Sequence, residues 1–201
     1  MSQNDEPANE RPDAEALQLL QSVVEVARAI FGAAASSIFL LDRATNELVF
    51  EAVSGQGEQS LVGSRFPADR GIAGWVVSSA DAMVVDDLTG NSAFARDLAE
   101  STEYVPDSLM AAPLIHDGEV LGVLEVLDPV AQSRSDLAEL DLLLLFAGQA
   151  ATALRMVLAQ RSQYQAELAD AVRTVQQLPA ADRAAGIQLI DVMRQLLVAA
   201  N

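Results

Sequence analysis

Residues 109–127 read LMAAPLIHDGEVLGVLEVL: two apolar runs, Leu109 to Ile115 and Val120 to Leu127, around the four residues His116-Asp117-Gly118-Glu119. The intervening residues are good turn formers, so the stretch predicts a β-hairpin. Before it, Pro106 resets the backbone. Upstream of that lies a turn-rich acidic segment, Asp86-Asp87-Leu88-Thr89-Gly90-Asn91, with a short helical piece from Phe94 to Glu100. Ala82 to Val85 reads as a further strand.

Further toward the N-terminus, Phe66-Pro67 is an extended step, and Asp69 is placed to cap a short helix over Arg70 to Ala80 with Ile72, Trp75 and Val76 on one face. Ile38 to Leu41 and Leu48 to Val53 form a second hairpin around the polar turn Asp42 to Asn46. Leu17, Leu20, Val24, Ala27 and Phe31 recur at three- and four-residue steps after Pro12-Asp13, which predicts an amphipathic helix over 15–31 that Gly32 ends.

Downstream, Ser135 to Leu178 contains no proline and only Gly148 as an interruption, so one helix of some forty residues, about 60 Å long, is expected. Its first half is apolar on most sides. Its second half narrows to Tyr164, Leu168, Val172, Val175 and Leu178, a stripe suited to a coiled-coil or helix-hairpin seam. Pro179 breaks it, and Ala180 to Ala200 forms a last amphipathic helix. The order of elements predicts an α+β domain: one antiparallel sheet of about six strands with helices on both faces, extended by a long C-terminal helix and a final helix.

Composition excludes much chemistry. With 201 residues and 51% apolar content, one core with helical appendages is expected. The absence of cysteine removes disulfides, thiolate metal sites and thiol catalysis, and the single histidine, His116, cannot build a multi-histidine metal cluster. The net charge of -17 repels nucleic-acid phosphates and anionic lipid headgroups, so neither nucleic acid nor membrane is expected as a partner. The apolar run Leu142 to Ala147 is far short of a membrane span, and residues 1–14 read as a disordered acidic tail without a secretory pattern. A cytoplasmic location is the expectation.

Three ordered blocks carry a family resemblance. Phe66-Pro67-Ala68-Asp69-Arg70-Gly71-Ile72-Ala73-Gly74-Trp75-Val76-Val77, followed by Val84-Val85-Asp86-Asp87 and Phe94, resembles the middle of GAF domains. Ser108 to Ile115 with Gly118 to Val126 is similar to their final hairpin, and Leu143 to Leu154 to their closing helix. The resemblance spans 15–160 and leaves 161–201 as a helical extension. Gly71 and Gly74, one turn apart, are read as letting the short helix approach the sheet, and Gly122 as permitting a close backbone contact within a strand.

The resemblance implies a non-catalytic sensor that holds a small ligand between the sheet and the short helices. The lining it assigns is Phe66, Ile72, Ala73, Trp75, Asp87, Phe94, Ser108 and Met110. Asp86 and Asp87 are candidate acceptors for a ligand's amine or amide groups. Neither metal nor cofactor is implied. The dispersed signature of cyclic-nucleotide-binding members is nearly all missing at Asp128-Pro129, Ser135 and Glu139-Leu140, and the cysteines used by bilin-binding members and by the free methionine sulfoxide reductases are absent.

Signalling is expected through a homodimer of helices 15–31 and 135–178, with output passing to a separate protein. The alternative is a structural or scaffolding module whose apolar pocket residues simply fill a core. An enzyme is not expected: adjacent carboxylates such as Asp86 and Asp87 point apart, no nucleophile with its base is visible, and Gly55 and Gly57 have no lysine after them.

Overall fold

A computed structural model of the protein describes residues 11–56, 60–88, 104–130 and 139–177, with Pro179 and Gln188 as isolated positions. The elements in chain order are α1 (Arg11–Phe31), β1 (Ala35–Asp42), β2 (Glu47–Gly55), β3 (Arg65–Pro67), α2 (Gly71–Ser79), β4 (Met83–Val85), β5 (Leu109–His116), β6 (Glu119–Leu127) and α3 (Glu139–Gln177). The expected helical piece around Phe94 and the expected final helix over 180–200 lie outside the described residues.

The six strands form one antiparallel sheet in the order β3-β2-β1-β6-β5-β4. Both predicted hairpins are present, and the β5–β6 turn is Asp117-Gly118 with both residues at positive φ, the geometry that follows the twist of the paired strands. Phe66-Pro67 is more than an extended step. It is the middle and end of β3, where Pro67 is tolerated because the strand sits at the sheet edge. Arg65 fixes that edge by donating to the carboxylates of Asp42 and Glu47, each at 2.9 Å, at the two ends of the β1–β2 turn.

β1 and β6 pair in the centre from Ala35↔Leu127 to Leu40↔Gly122. A Cβ on Gly122 would stand 1.8 Å from the carbonyl oxygen of Phe39, so only glycine lets the two strands meet there, as expected. Gly74 has a different role from the one expected. A Cβ there would lie 2.8 Å from the Asp69 carbonyl carbon, so it accommodates the turn leading into its own helix rather than the sheet.

The start of α2 also differs from expectation. Its N-cap is Arg70 in extended conformation with no side-chain cap hydrogen bond, so Asp69 does not cap it. Gly71 at φ 70° places the entering chain in a left-handed step, which separates Asp69 from the first helical amides. α1 begins at Arg11 rather than residue 15, and this places Pro12 in the first turn, where its missing N–H costs nothing.

The sheet is covered on both faces. On one, α2 packs with Ile72, Ala73 and Val76 against Phe39, Phe50, Phe66, Leu109, Ala111 and Val123. Phe39, Phe50 and Phe66 form a ring cluster with centroids 4.5–5.7 Å apart. The other face carries α1, which buries Leu20, Val24, Ala27 and Phe31, and the first half of α3, which buries Leu143, Ala147, Ala150, Leu154 and Val157. Phe31 meets Phe146 edge-on at 6.3 Å, so these two helices lie side by side.

The chain divides at Val157–Leu158 into two compact units. Beyond Leu158, Tyr164, Val172 and Val175 of the expected stripe are partly buried. By length and composition α3 could cross a membrane, contrary to the sequence reading. Part of that window, Leu143, Ala147, Ala150, Leu154 and Val157, is used in the core just described, while Leu144, Leu145 and Met156 are exposed.

Candidate functional site

Strand alternation decides which side chains face α2. Val123 belongs to the cluster under α2 and Leu127 packs against it, so Glu125, two residues from each, points to the same face. Glu125 stands opposite Ser37 on β1 and Ala111 on β5. Ser37 in turn pairs with Val53, and Ala111 with Met83. The result is a row across five strands, Val53, Ser37, Glu125, Ala111 and Met83, in which one carboxylate lies between two small residues. Behind it, the Ser36 hydroxyl on the opposite face donates to the Glu125 carbonyl oxygen at 3.1 Å and holds this point of β6 in place.

Ser37 is buried and Glu125 partly so. Burial alone pushes the Glu125 carboxyl up to about 7, because no cation or hydrogen-bond donor among the described residues compensates its charge. α2, of sequence GIAGWVVSS, brings no ionisable side chain to this face. The sequence signal for this residue is plain in retrospect: Glu125 is the one charge inside the apolar run Val120 to Leu127.

A second polar constellation holds the chain entering β5. One oxygen of Asp128 accepts from the backbone amides of Asp107 at 2.9 Å and Ser108 at 2.8 Å and from the Ser108 hydroxyl at 3.3 Å; the other accepts from the Tyr104 hydroxyl. The Tyr104 phenol is pushed up to about 12, first by burial and then by its hydrogen bond to Asp128. This fastens residues 104–108 to the end of β6.

The eight residues assigned by resemblance do not form one lining. Phe66, Ile72 and Ala73 come together in the cluster beneath α2 and are nearly inaccessible. Met110 lies on the opposite face, because Leu109 and Ala111 on either side of it belong to that cluster. Ser108 is engaged by Asp128, Asp86 and Asp87 are exposed, and Phe94 lies outside the described residues.

Trp75 departs furthest from the reading that grouped it with Ile72 and Val76. It is 38% exposed and lines an open cleft of about 630 Å³ with Ala82, Pro113, Ile115, Leu140 and Leu144. His116 ends β5 beside Asp117, with its Nε2 3.4 Å from that carboxylate. No three histidine, aspartate or glutamate side chains among the described residues converge as metal ligands.

A sequence model of the GAF domain matches residues 15–154, more than half of the chain. The chain belongs to the GAF domain family. Among solved structures, the GAF domain of an Acinetobacter phosphoenolpyruvate-protein phosphotransferase superposes with a TM-score of 0.59 at 19% identity, covering 79% of this chain and 98% of that one. The second GAF domain of DevS from Mycobacterium smegmatis gives 0.55 at 21%, covering 74% and 99%. These likenesses concern the fold.

In sequence, the cone cGMP-specific 3′,5′-cyclic phosphodiesterase subunit alpha′ of Mus musculus is 36% identical over 66 residues, 33% of this chain. The probable 3′,5′-cyclic phosphodiesterase pde-5 of Caenorhabditis elegans is 25% identical over 115 residues, 53% of this chain. The aligned parts make up 8% and 16% of those two proteins. GAF domains are regulatory and sensory modules and are generally non-catalytic, although the free methionine-R-sulfoxide reductase of Neisseria meningitidis shares the fold, with a TM-score of 0.52 at 23% identity over 81% of this chain and 96% of that one.

Proposed function

We propose that this GAF domain is a non-catalytic sensor that binds a small ligand on the α2 face of its sheet and signals through paired helices of a homodimer to a separate output protein. The observation that carries the ligand half is the row Ser37, Glu125, Ala111: a serine, a carboxylate and an alanine set into a face otherwise packed with phenylalanine, leucine and valine. A closed core would fill those positions with apolar bulk. Phe66, Ile72 and Ala73 then act as the floor that holds α2 over the sheet, and the assigned lining shifts toward Glu125 and Ser37.

The dimer half is supported by apolar side chains that the helices leave in solvent. Leu19, Val26 and Ile30 of α1 recur at seven- and four-residue steps, and Leu145, 60% exposed, and Met156, eleven residues on, are left in solvent on α3. Thermal unfolding against a panel of metabolites and nucleotides, cyclic nucleotides included, tests the ligand half, since a ligand of the native state raises the midpoint. No shift at concentrations far above any useful dissociation constant counts against it. Light scattering at micromolar protein tests the dimer, and a monomeric mass defeats it.

A second reading is supported by the open apolar cleft beside Trp75. In it the sheet face is simply a filled core and the module docks a protein partner. A null ligand panel together with loss of partner binding on Leu144→Asp, a residue of that cleft, favours this reading over the first.

A further inference from the structure

The carboxylate of Glu125 is the unbalanced element of this fold. It projects from β6, one of the two central strands in the order β3-β2-β1-β6-β5-β4, with Val123 and Leu127 flanking it along β6 and Val53, Ser37, Ala111 and Met83 completing its row. Across the row it meets a hydroxyl and a methyl group, neither of which neutralises charge, and α2 carries no ionisable residue. An ionised carboxylate has only acceptor positions to offer, and a partly desolvated one gains more from a charged donor than a solvated one does. Burial accounts for its raised pKa, and among the described residues no cation occupies the place a donor would take.

We propose that Glu125 is the recognition carboxylate of the ligand site on this sheet face, and that the ligand is a small organic cation, an ammonium or amidinium group on an apolar body, seated over Ser37 and Ala111. The proposal rests on the sensor reading above and names the ligand class for it. Two further features point to this class. The chain's net charge of -17 raises the local concentration of cations and disfavours anions. Val53, Met83, Val123 and Leu127 around the carboxylate supply apolar contacts for the body of such a molecule. The Ser37 hydroxyl, buried opposite Glu125, is the second polar group of the site.

The test uses the full chain with benzamidine, phenethylammonium and butylammonium as probes and benzamide as the neutral counterpart of benzamidine. Calorimetry at pH 8 should show at least one of the cations binding wild type, with benzamide much weaker than benzamidine, and Glu125→Gln should weaken the cation roughly 10- to 100-fold. Carbon NMR of labelled glutamate in the wild-type chain gives a readout that needs no variant: saturating cation should lower the Glu125 carboxyl pKa. Failure of all three cations to bind, equal affinity for Glu125→Gln, or an unmoved Glu125 titration overturns the proposal. A different panel member that stabilises wild type and Glu125→Gln equally overturns it while leaving the sensor reading intact; a wholly silent panel removes both.

Discussion

Ser37 and Glu125 face each other across the central β1–β6 pair, a hydroxyl opposite a carboxylate in the middle of an apolar sheet face. Folding raises the Glu125 carboxyl from 4.5 to about 7 through burial. The native state therefore holds a proton that the unfolded chain has released between those values, and the contribution of this group to stability falls as pH rises through that window and stays low above it. The difference is at most about 3 kcal/mol, less to the extent that the residue still meets solvent. Glu125→Gln should leave stability nearly unchanged at pH 4.5 and raise it at pH 8. Urea unfolding of both proteins at the two pH values checks this; an equal difference at both would contradict it.

Gly122→Ala should be severely destabilising, by about 2–4 kcal/mol, because the added methyl meets the Phe39 carbonyl oxygen at 1.8 Å and neither central strand can withdraw. Gly148→Ala is the matched control. It sits within α3 with nothing within 4 Å of a new Cβ, so it should stabilise by about 0.5–1 kcal/mol.

Ile72 and Trp75 sit on the same helix in different environments. Ile72→Ala should cost roughly 2–4 kcal/mol by opening the cluster beneath α2. Trp75→Ala, at the open cleft, should cost about 1 kcal/mol or less. Circular dichroism is the suitable probe, since Trp75 is the sole tryptophan. A larger loss for Trp75→Ala would place the indole in the core.

Asp128→Ala should cost about 2–3 kcal/mol by stranding the amides of Asp107 and Ser108. It should also bring Tyr104 down from about 12 without restoring the ordinary value of 10.0, because burial is the larger cause of the rise. Spectrophotometric titration of the two tyrosines measures it, and an unmoved upper transition would show that Asp128 does not act on Tyr104.

Much of this architecture is legible from residues alone. The period-two runs, the turn at Asp117-Gly118, the proline-free stretch of α3 and the glycine at 122 each state a local geometry, because chain stiffness and turn chemistry act over a few residues. The missing cysteines and the lone histidine exclude whole reaction classes without any structure. The neighbours of each element are another matter. β5 and β6 are apolar on both faces, so their sequences carry no alternation to say whether Leu109 or Met110 turns toward α2.

That choice, the meeting of β1 with β6, the exposure of Trp75 and the isolation of Glu125 between Ser37 and Ala111 were decided only by tertiary structure. Each depends on strands that pair across long sequence separations, where a shift of one residue turns every side chain to the other face. Local sequence determined which segments are strands and helices; the register between distant strands determined which of their side chains share a site.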